Sequence, residues 1–325
     1  MNHTVEQLID RINLEIENLS LSKSPQELYE PIEYALSLGG KRIRPILTLL
    51  SCNLFQDSIE EAISPALGVE IFHNFTLLHD DLMDKSEIRR GNPTVHKKWS
   101  ANTAILSGDA MQIIAYQEVC KSPSNSLTEV LTVFSRTALE VCEGQQFDMD
   151  FEQRNDVTVD EYIEMIRLKT AVLLACALKI GSIIGGASER DANLMYTFGE
   201  KIGLAFQLKD DLLDTFGDEA KFGKAIGGDI VCNKKTFLLI KAFELSNDSE
   251  KGEISEWLLK QDFARQEKVD AITKIYIQRG VKELCEQKIS DYYKEGLDAL
   301  YAVDVNMLHK SELVTLSEKL MHRES

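Results

Sequence analysis

The chain has 325 residues, 44% of them hydrophobic, which is enough apolar surface for a sizeable buried core. Its formal charge of −17, from 36 Lys and Arg against 53 Asp and Glu, argues against a nucleic-acid surface, which needs a basic face. The same charge argues against adhesion to an anionic membrane. The six cysteines, at 52, 120, 142, 176, 232 and 285, form no CxxC and mostly stand in apolar helical contexts. They read as small buried thiols of a reducing compartment. Residues 1–20 are polar with no apolar centre, so no signal peptide is expected. The longest apolar stretch, 171–186, is broken by Lys179 and Gly181 and is short for a membrane span. A soluble, cytoplasmic protein without stable membrane insertion is expected.

Apolar residues recur at intervals of three and four nearly throughout, and alternating runs are scarce, so the predicted fold is all-α. The predicted helices are 3–19, 25–38, 42–55, 60–84, 99–120, 125–153, 159–184, 188–216, 235–246, 251–260, 265–278, 280–302 and 309–322. The polar breaks at 121–126 and 246–252 are short and composition does not shift, which predicts a single domain over 1–325. Gly39-Gly40-Lys41-Arg42-Ile43-Arg44-Pro45 lies between the second and third helices. There the glycines allow close backbone approach and a helix N-terminus favours an anion. The helix 60–84 ends in Asp80-Asp81-Leu82-Met83-Asp84, followed by Arg89-Arg90-Gly91. Lys169-Thr170 lies within the helix 159–184. The helix 188–216 ends in Asp210-Asp211-Leu212-Leu213-Asp214, with Gly223-Lys224 and Lys234-Lys235-Thr236 beyond it.

The two acidic clusters have one shape. At about 100° per residue, the first and last Asp of each fall about 40° apart, so their carboxylates leave one helix face a turn apart. Like charges so placed repel unless a cation lies between them. Hard oxygen ligands at this spacing suit Mg²⁺, which keeps waters and shares carboxylates with substrate phosphates. His73, seven before Asp80, and Gln207, three before Asp210, share the acidic faces. If the two long helices face each other in a bundle, both clusters arrive at one end of a cavity between helices. Acids at two sites with bases just beyond them suit a diphosphate held by metal on one side and by Arg and Lys on the other.

These residues, in this order and spacing over about 30–240, resemble the trans-type isoprenyl diphosphate synthases. The match runs through the Gly39–Pro45 motif, His73, Leu78-His79-Asp80-Asp81 to Asp84, Arg89-Arg90-Gly91-Asn92-Pro93-Thr94, Gly144-Gln145, Lys169-Thr170, Phe206-Gln207 to Asp214, and Gly223-Lys224. The resemblance implies a homodimer in which each chain is a bundle of about ten core helices around a central cavity. It implies condensation of isopentenyl diphosphate with an allylic diphosphate, using three Mg²⁺. Carried over by position, Asp80, Asp84 and Asp210 coordinate the metal, with Asp81 and Asp214 beside them. Arg89, Lys169 and Lys224 hold the allylic diphosphate; Lys41, Arg44, His73 and Arg90 bind isopentenyl diphosphate without metal; Thr170 and Gln207 lie along the allylic cation. Gln145 and Asp148 match the family's helix motif without an assigned role, and Lys209 also has none.

The resemblance also makes Phe75, five before the first Asp, the usual position that sets product length. Its bulk suggests a C15 to C20 product, and the lack of a two-residue insertion in the first motif favours C20 over C15. At about 1.5 Å per residue, Thr76 and Phe75 lie about 6 and 7.5 Å from Asp80 along the helix, and Phe72 about 12 Å. Ideal geometry puts Phe75 away from the Asp face and Phe72 or Thr76 nearer to it. A farnesyl or longer-chain synthase keeps every feature but the wall. A class I terpene cyclase shares the bundle, the Mg²⁺ and one DDxxD but has no need of Lys41, Arg44 and His73. A silent partner subunit usually loses one of the motifs kept here.

Overall fold

The computed structural model describes residues 3–217 and 226–321. Among them the regular structure is helical apart from one antiparallel pair of two-residue strands, β1 (Ile88–Arg89) and β2 (Asn92–Pro93). In chain order the helices are α1 (Val5–Glu17), α2 (Gln26–Ser37), α3 (Ile43–Phe55), α4 (Glu60–Met83), α5 (Val95–Lys98), α6 (Ala101–Val119), α7 (Leu127–Glu152), α8 (Val159–Ile166), α9 (Val172–Ile184) and α10 (Glu189–Phe216). After them come α11 (Gly228–Val231), α12 (Phe237–Leu245), α13 (Asp248–Leu259), α14 (Arg265–Gln278), α15 (Val281–Ala302) and α16 (Met307–Met321). The predicted helix 159–184 is interrupted: Arg167–Ala171 is a π-helical turn joining α8 to α9. Lys169 and Thr170 therefore stand in that turn.

Local chemistry sets several starts. Thr4 with Gln7, Thr158 with Glu161, and Asn247 with Glu250 form capping boxes, which satisfy backbone donors left open at a helix N-terminus. Asn247 starts α13 earlier than the predicted 251, and Ser100 and Thr236 cap α6 and α12 with single side-chain bonds.

The chain forms two compact units. The first comprises 1–136, 176–196 and 303–313, and the second 137–175, 197–302 and 314–325. In the first unit α4 packs against α6 and α3, with Leu67, Val69, Ile71 and Phe72 buried. Ser51 of α3 donates to the Leu178 carbonyl of α9 at 2.6 Å, and its hydroxyl lies 2.7 Å from that of Ser182. In the second unit α12 packs on α8, α14 and α15, burying Phe237, Leu238, Leu239 and Ile240. Burial of such side chains contributes roughly 1.5–3 kcal/mol each. The expectation of buried thiols holds for Cys52, Cys176 and Cys285, whereas Cys120, Cys142 and Cys232 are exposed. Cys142 stands on an outer face of α7, and Cys120 and Cys232 stand at the C-caps of α6 and α11, just past the helix ends.

One buried ion pair fixes the corner from which the Gly39–Pro45 segment starts. Arg42, with φ 48°, is left-handed, a conformation that costs a non-glycine residue of order 1 kcal/mol. Its guanidinium offsets this by reaching Glu70 of α4 at 2.8 Å, the Leu36 carbonyl at 2.8 Å and Asn13 at 3.2 Å. Both partners are buried, and Asn74 donates to the same Glu70 oxygen at 3.1 Å. The pair ties α1, α2, α3 and α4 together at one point. Glu70→Ala strands a buried guanidinium, so denaturant unfolding is expected to show a loss of about 3–5 kcal/mol. Glu70→Gln keeps an acceptor and should cost less; equal losses would mean that the charge pair does not hold this corner.

Candidate active site

In the first unit α4 carries His73, Asp80 and Asp81, and Asp84 caps its C-terminus. The turn that follows brings Arg89 back to the cluster, with Lys85 and Arg90 left-handed. Thr94 holds the two ends of that turn together by donating to the Ser86 carbonyl at 2.7 Å. Arg89 Nε donates to Asp81 Oδ2 at 2.7 Å, and its NH2 lies 3.7 Å from Asp80. Asp81 is buried and its other oxygen has no partner; burial pushes its carboxyl up, with Arg89 opposing. Asp80 is half-buried and Asp84 exposed.

A cationic cluster lies in the same unit. Arg44 NH1 is 3.0 Å from His73 Nε2. Because guanidinium has no acceptor, Nε2 accepts and the ring proton sits on Nδ1. Burial, together with Arg44, Arg90, Arg89 and Arg42, holds His73 well below the ordinary histidine range, so it is neutral at pH 7. Burial also lowers Arg44 to about 10, and its Nε is buried without a partner. Arg90 donates to the Gly39 carbonyl, and Lys41 is exposed on the same segment. Arg42 is already answered by Glu70, which leaves Arg44 and Arg90 as an excess of positive charge suited to an anion.

In the second unit the acidic cluster of α10 meets α8 through Asp211 and α11 through Asp214, while Gln207, one turn earlier, meets the π-turn. Lys169 donates to Asp148 of α7 at 2.6 Å. Thr170 Oγ1 donates to Gln207 Oε1 at 3.1 Å, and Gln207 Nε2 donates to Asp211 Oδ1 at 3.1 Å. Tyr162 donates to the other Asp211 oxygen. Burial pushes the Asp211 carboxyl well up, helped by Asp229, with the Tyr162 and Gln207 bonds opposing. Asp214 accepts from the Asp229 backbone N–H at 2.9 Å. Burial, then Asp214, raises Asp229 to about 6.

The structure thus joins Arg44 with His73, Arg89 with Asp80 and Asp81, Lys169 with Asp148, and Thr170 with Gln207. Lys224 lies outside the described residues. Sequence reasoning missed Tyr162, Asp211 as a buried partner, and Asp229. The signal for Asp229 was its place in a Gly-rich segment between Lys224 and Lys234. Among the described residues, no three carboxylate, imidazole or thiol groups converge into a ready-made metal cage.

Upstream of Asp80 the rings form a column. Phe75 lies 4.8 Å edge-on to His79 and 5.3 Å from Phe72, which meets Phe134 at 5.3 Å; Tyr116 meets Phe134 at 4.9 Å. Phe72 and Phe75 are both buried, while Thr76 is half-buried with its hydroxyl on the His73 carbonyl at 2.8 Å. Phe75 and Phe72 therefore belong to one aromatic stack.

The low proton affinity of His73 links pH to stability. Below about pH 6.5 the unfolded imidazole takes up a proton that the folded one refuses, so stability falls as pH drops through that value. His73→Gln should lose less stability than the unmodified chain between pH 8 and pH 5 in urea unfolding. Identical pH slopes would show that His73 accepts a proton in the fold.

Comparison with known proteins follows the same lines. The family profile described as polyprenyl synthetase matches residues 25–276. A geranylgeranyl diphosphate synthase of Methanosarcina mazei is 36% identical over 316 residues, covering 96% of this chain and 95% of that protein. A crystal structure of a geranylgeranyl pyrophosphate synthase superposes with a TM-score of 0.94 at 44% identity, covering 100% of both chains. A geranylgeranyl pyrophosphate synthase of Corynebacterium glutamicum, solved with isoprenyl diphosphate and magnesium, has a TM-score of 0.86 at 28% identity over 98% of both chains.

Proposed function

The chain belongs to the polyprenyl synthetase family and is a prenyltransferase, and from that premise we propose that it condenses isopentenyl diphosphate with an allylic diphosphate. The product is a trans prenyl diphosphate of C15 to C20, with C20 favoured. The observation that carries this reading is a cationic cluster around Arg44, with a neutral His73, on the same unit as an acidic cluster at a helix end. The similarity to geranylgeranyl synthases over nearly the whole chain supports the product class.

The donor set fits Mg²⁺, which is held by one or two carboxylates with substrate phosphates and water rather than by an all-protein cage. Asp80, Asp84 and Asp210 would hold it, three ions being expected, with Asp81 and Asp214 beside them. When bound, the metal adds positive charge at phosphate oxygens that become more negative as the allylic C–O bond breaks. Arg89, Lys169 and Lys224 hold that diphosphate, which leaves with the bonding electron pair. Lys41, Arg44, His73 and Arg90 hold isopentenyl diphosphate, and neutral His73 there can accept from Arg44 and donate through Nδ1. The double bond attacks the allylic carbon, and a proton then passes to the released diphosphate. The Thr170 hydroxyl and Gln207 lie along the allylic cation, and the apolar wall excludes water. Phe75, buttressed by His79 and Phe72, limits the tail.

The reading extends to the whole chain as one domain, since the family profile runs through both units. Leu106 and Ile113 of α6, seven residues apart and 60% and 61% exposed, suit burial in a homodimer. The described cysteines form no disulfide with one another, which supports a cytoplasmic setting. Among the described residues no helix is long and apolar enough to cross a membrane.

Incubation with Mg²⁺, labelled isopentenyl diphosphate and C5, C10 or C15 allylic diphosphate should give products ending at C20. Lack of condensation from every starter would overturn the reading. Phe75→Ala should lengthen the product; an unchanged end point would move the wall elsewhere in the aromatic stack.

A further inference from the structure

A π-turn persists only where its surroundings over-determine it, because its hydrogen bonds are poorer than those of an α-helix. It also shifts the helix register by one residue, turning the side chains that follow by about 100°. The direction in which Lys169 and Thr170 point thus depends on what holds 167–171 in this form. Two helices meet the turn at backbone contact, each through a glycine. A Cβ on Gly144 of α7 would stand 2.7 Å from Leu168 C and from Lys169 Cα, and closer still to Lys169 N. A Cβ on Gly203 of α10 would stand 2.6 Å from Ala171 Cα and 2.7 Å from Ala171 Cβ.

Each helix also bonds the turn one helical turn past its glycine. Asp148, four residues after Gly144, accepts from Lys169 at 2.6 Å. Gln207, four residues after Gly203, accepts from Thr170 at 3.1 Å. The turn is therefore fixed at four points, two of backbone against backbone and two of side chain to side chain.

We propose that Gly144 and Gly203 are positioning residues that clamp the π-turn and so aim Lys169 and Thr170. The inference rests on the reading that these two side chains act on the allylic group. Any larger residue at either glycine moves the turn as a body, because the first atoms met are main-chain atoms. Binding of isopentenyl diphosphate, assigned to the first unit, is spared.

The test compares full-length Gly144→Ala, Gly203→Ala and Thr170→Val, with folding checked by thermal unfolding. The glycine variants should lower kcat about 10- to 100-fold, the cost of misplacing a reacting contact by around 1 Å. KM for isopentenyl diphosphate should stay near its original value, and amide exchange across 167–172 should quicken. Ala171→Gly should restore part of the activity of Gly203→Ala and none of that of Gly144→Ala, whose obstacle is backbone. If an alanine variant does not fold, the Gly203→Ala, Ala171→Gly pair carries the test, with a kcat expected below the original and amide exchange still raised. Folded variants with the original kcat and unchanged exchange would overturn the clamp. The original kcat in Thr170→Val would instead overturn the site reading beneath it.

Discussion

Crowded carboxylates repel, and in a chain of net charge −17 each cluster has to be balanced by what lies beside it. The two units meet this constraint differently. In the first, the middle aspartate, Asp81, is buried against Arg89. In the second, the middle aspartate, Asp211, bonds no cation among the described residues and is held by the Tyr162 hydroxyl and the Gln207 amide. Burial raises both carboxyls, that of Asp211 far more. The outer positions are less buried: Asp80, Asp210 and Asp214 are intermediate and Asp84 is exposed. A buried middle residue that builds the cluster and outer residues left more open is a division that two identical motifs do not reveal by themselves.

The cationic cluster obeys the converse rule. Arg42 is neutralised by Glu70 and supports the fold, while Arg44, two residues on, meets the neutral His73 imidazole and keeps a buried Nε without a partner. Two arginines of one motif thus do different work, one structural and one suited to an anion. That a metal-free phosphate site should rest on guanidinium follows from its planar, always charged fork.

Much of this was legible in the sequence. Apolar spacing placed the helices because burial of one face fixes their period, and the acidic repeats stood where helices α4 and α10 end. The π-turn was not legible, since Arg167–Ala171 continues the apolar rhythm of its neighbours and a change from i+4 to i+5 bonding leaves no mark in composition. Strands β1 and β2 are too short to show alternation. The Arg42–Glu70 pair was hidden because a charge inside an apolar run does not announce its partner, and Asp229 because it is brought to Asp214 by a turn, not by helical spacing.

The central claim is that the acidic clusters take diphosphate only with metal, whereas the Arg44 and His73 pocket takes isopentenyl diphosphate without it. Titration calorimetry of inorganic diphosphate and of isopentenyl diphosphate, each with and without Mg²⁺, tests this directly. The account predicts that inorganic diphosphate binds only when Mg²⁺ is present and that isopentenyl diphosphate binds in both conditions. Tight binding of inorganic diphosphate without metal, or a strict metal requirement for isopentenyl diphosphate, would contradict it.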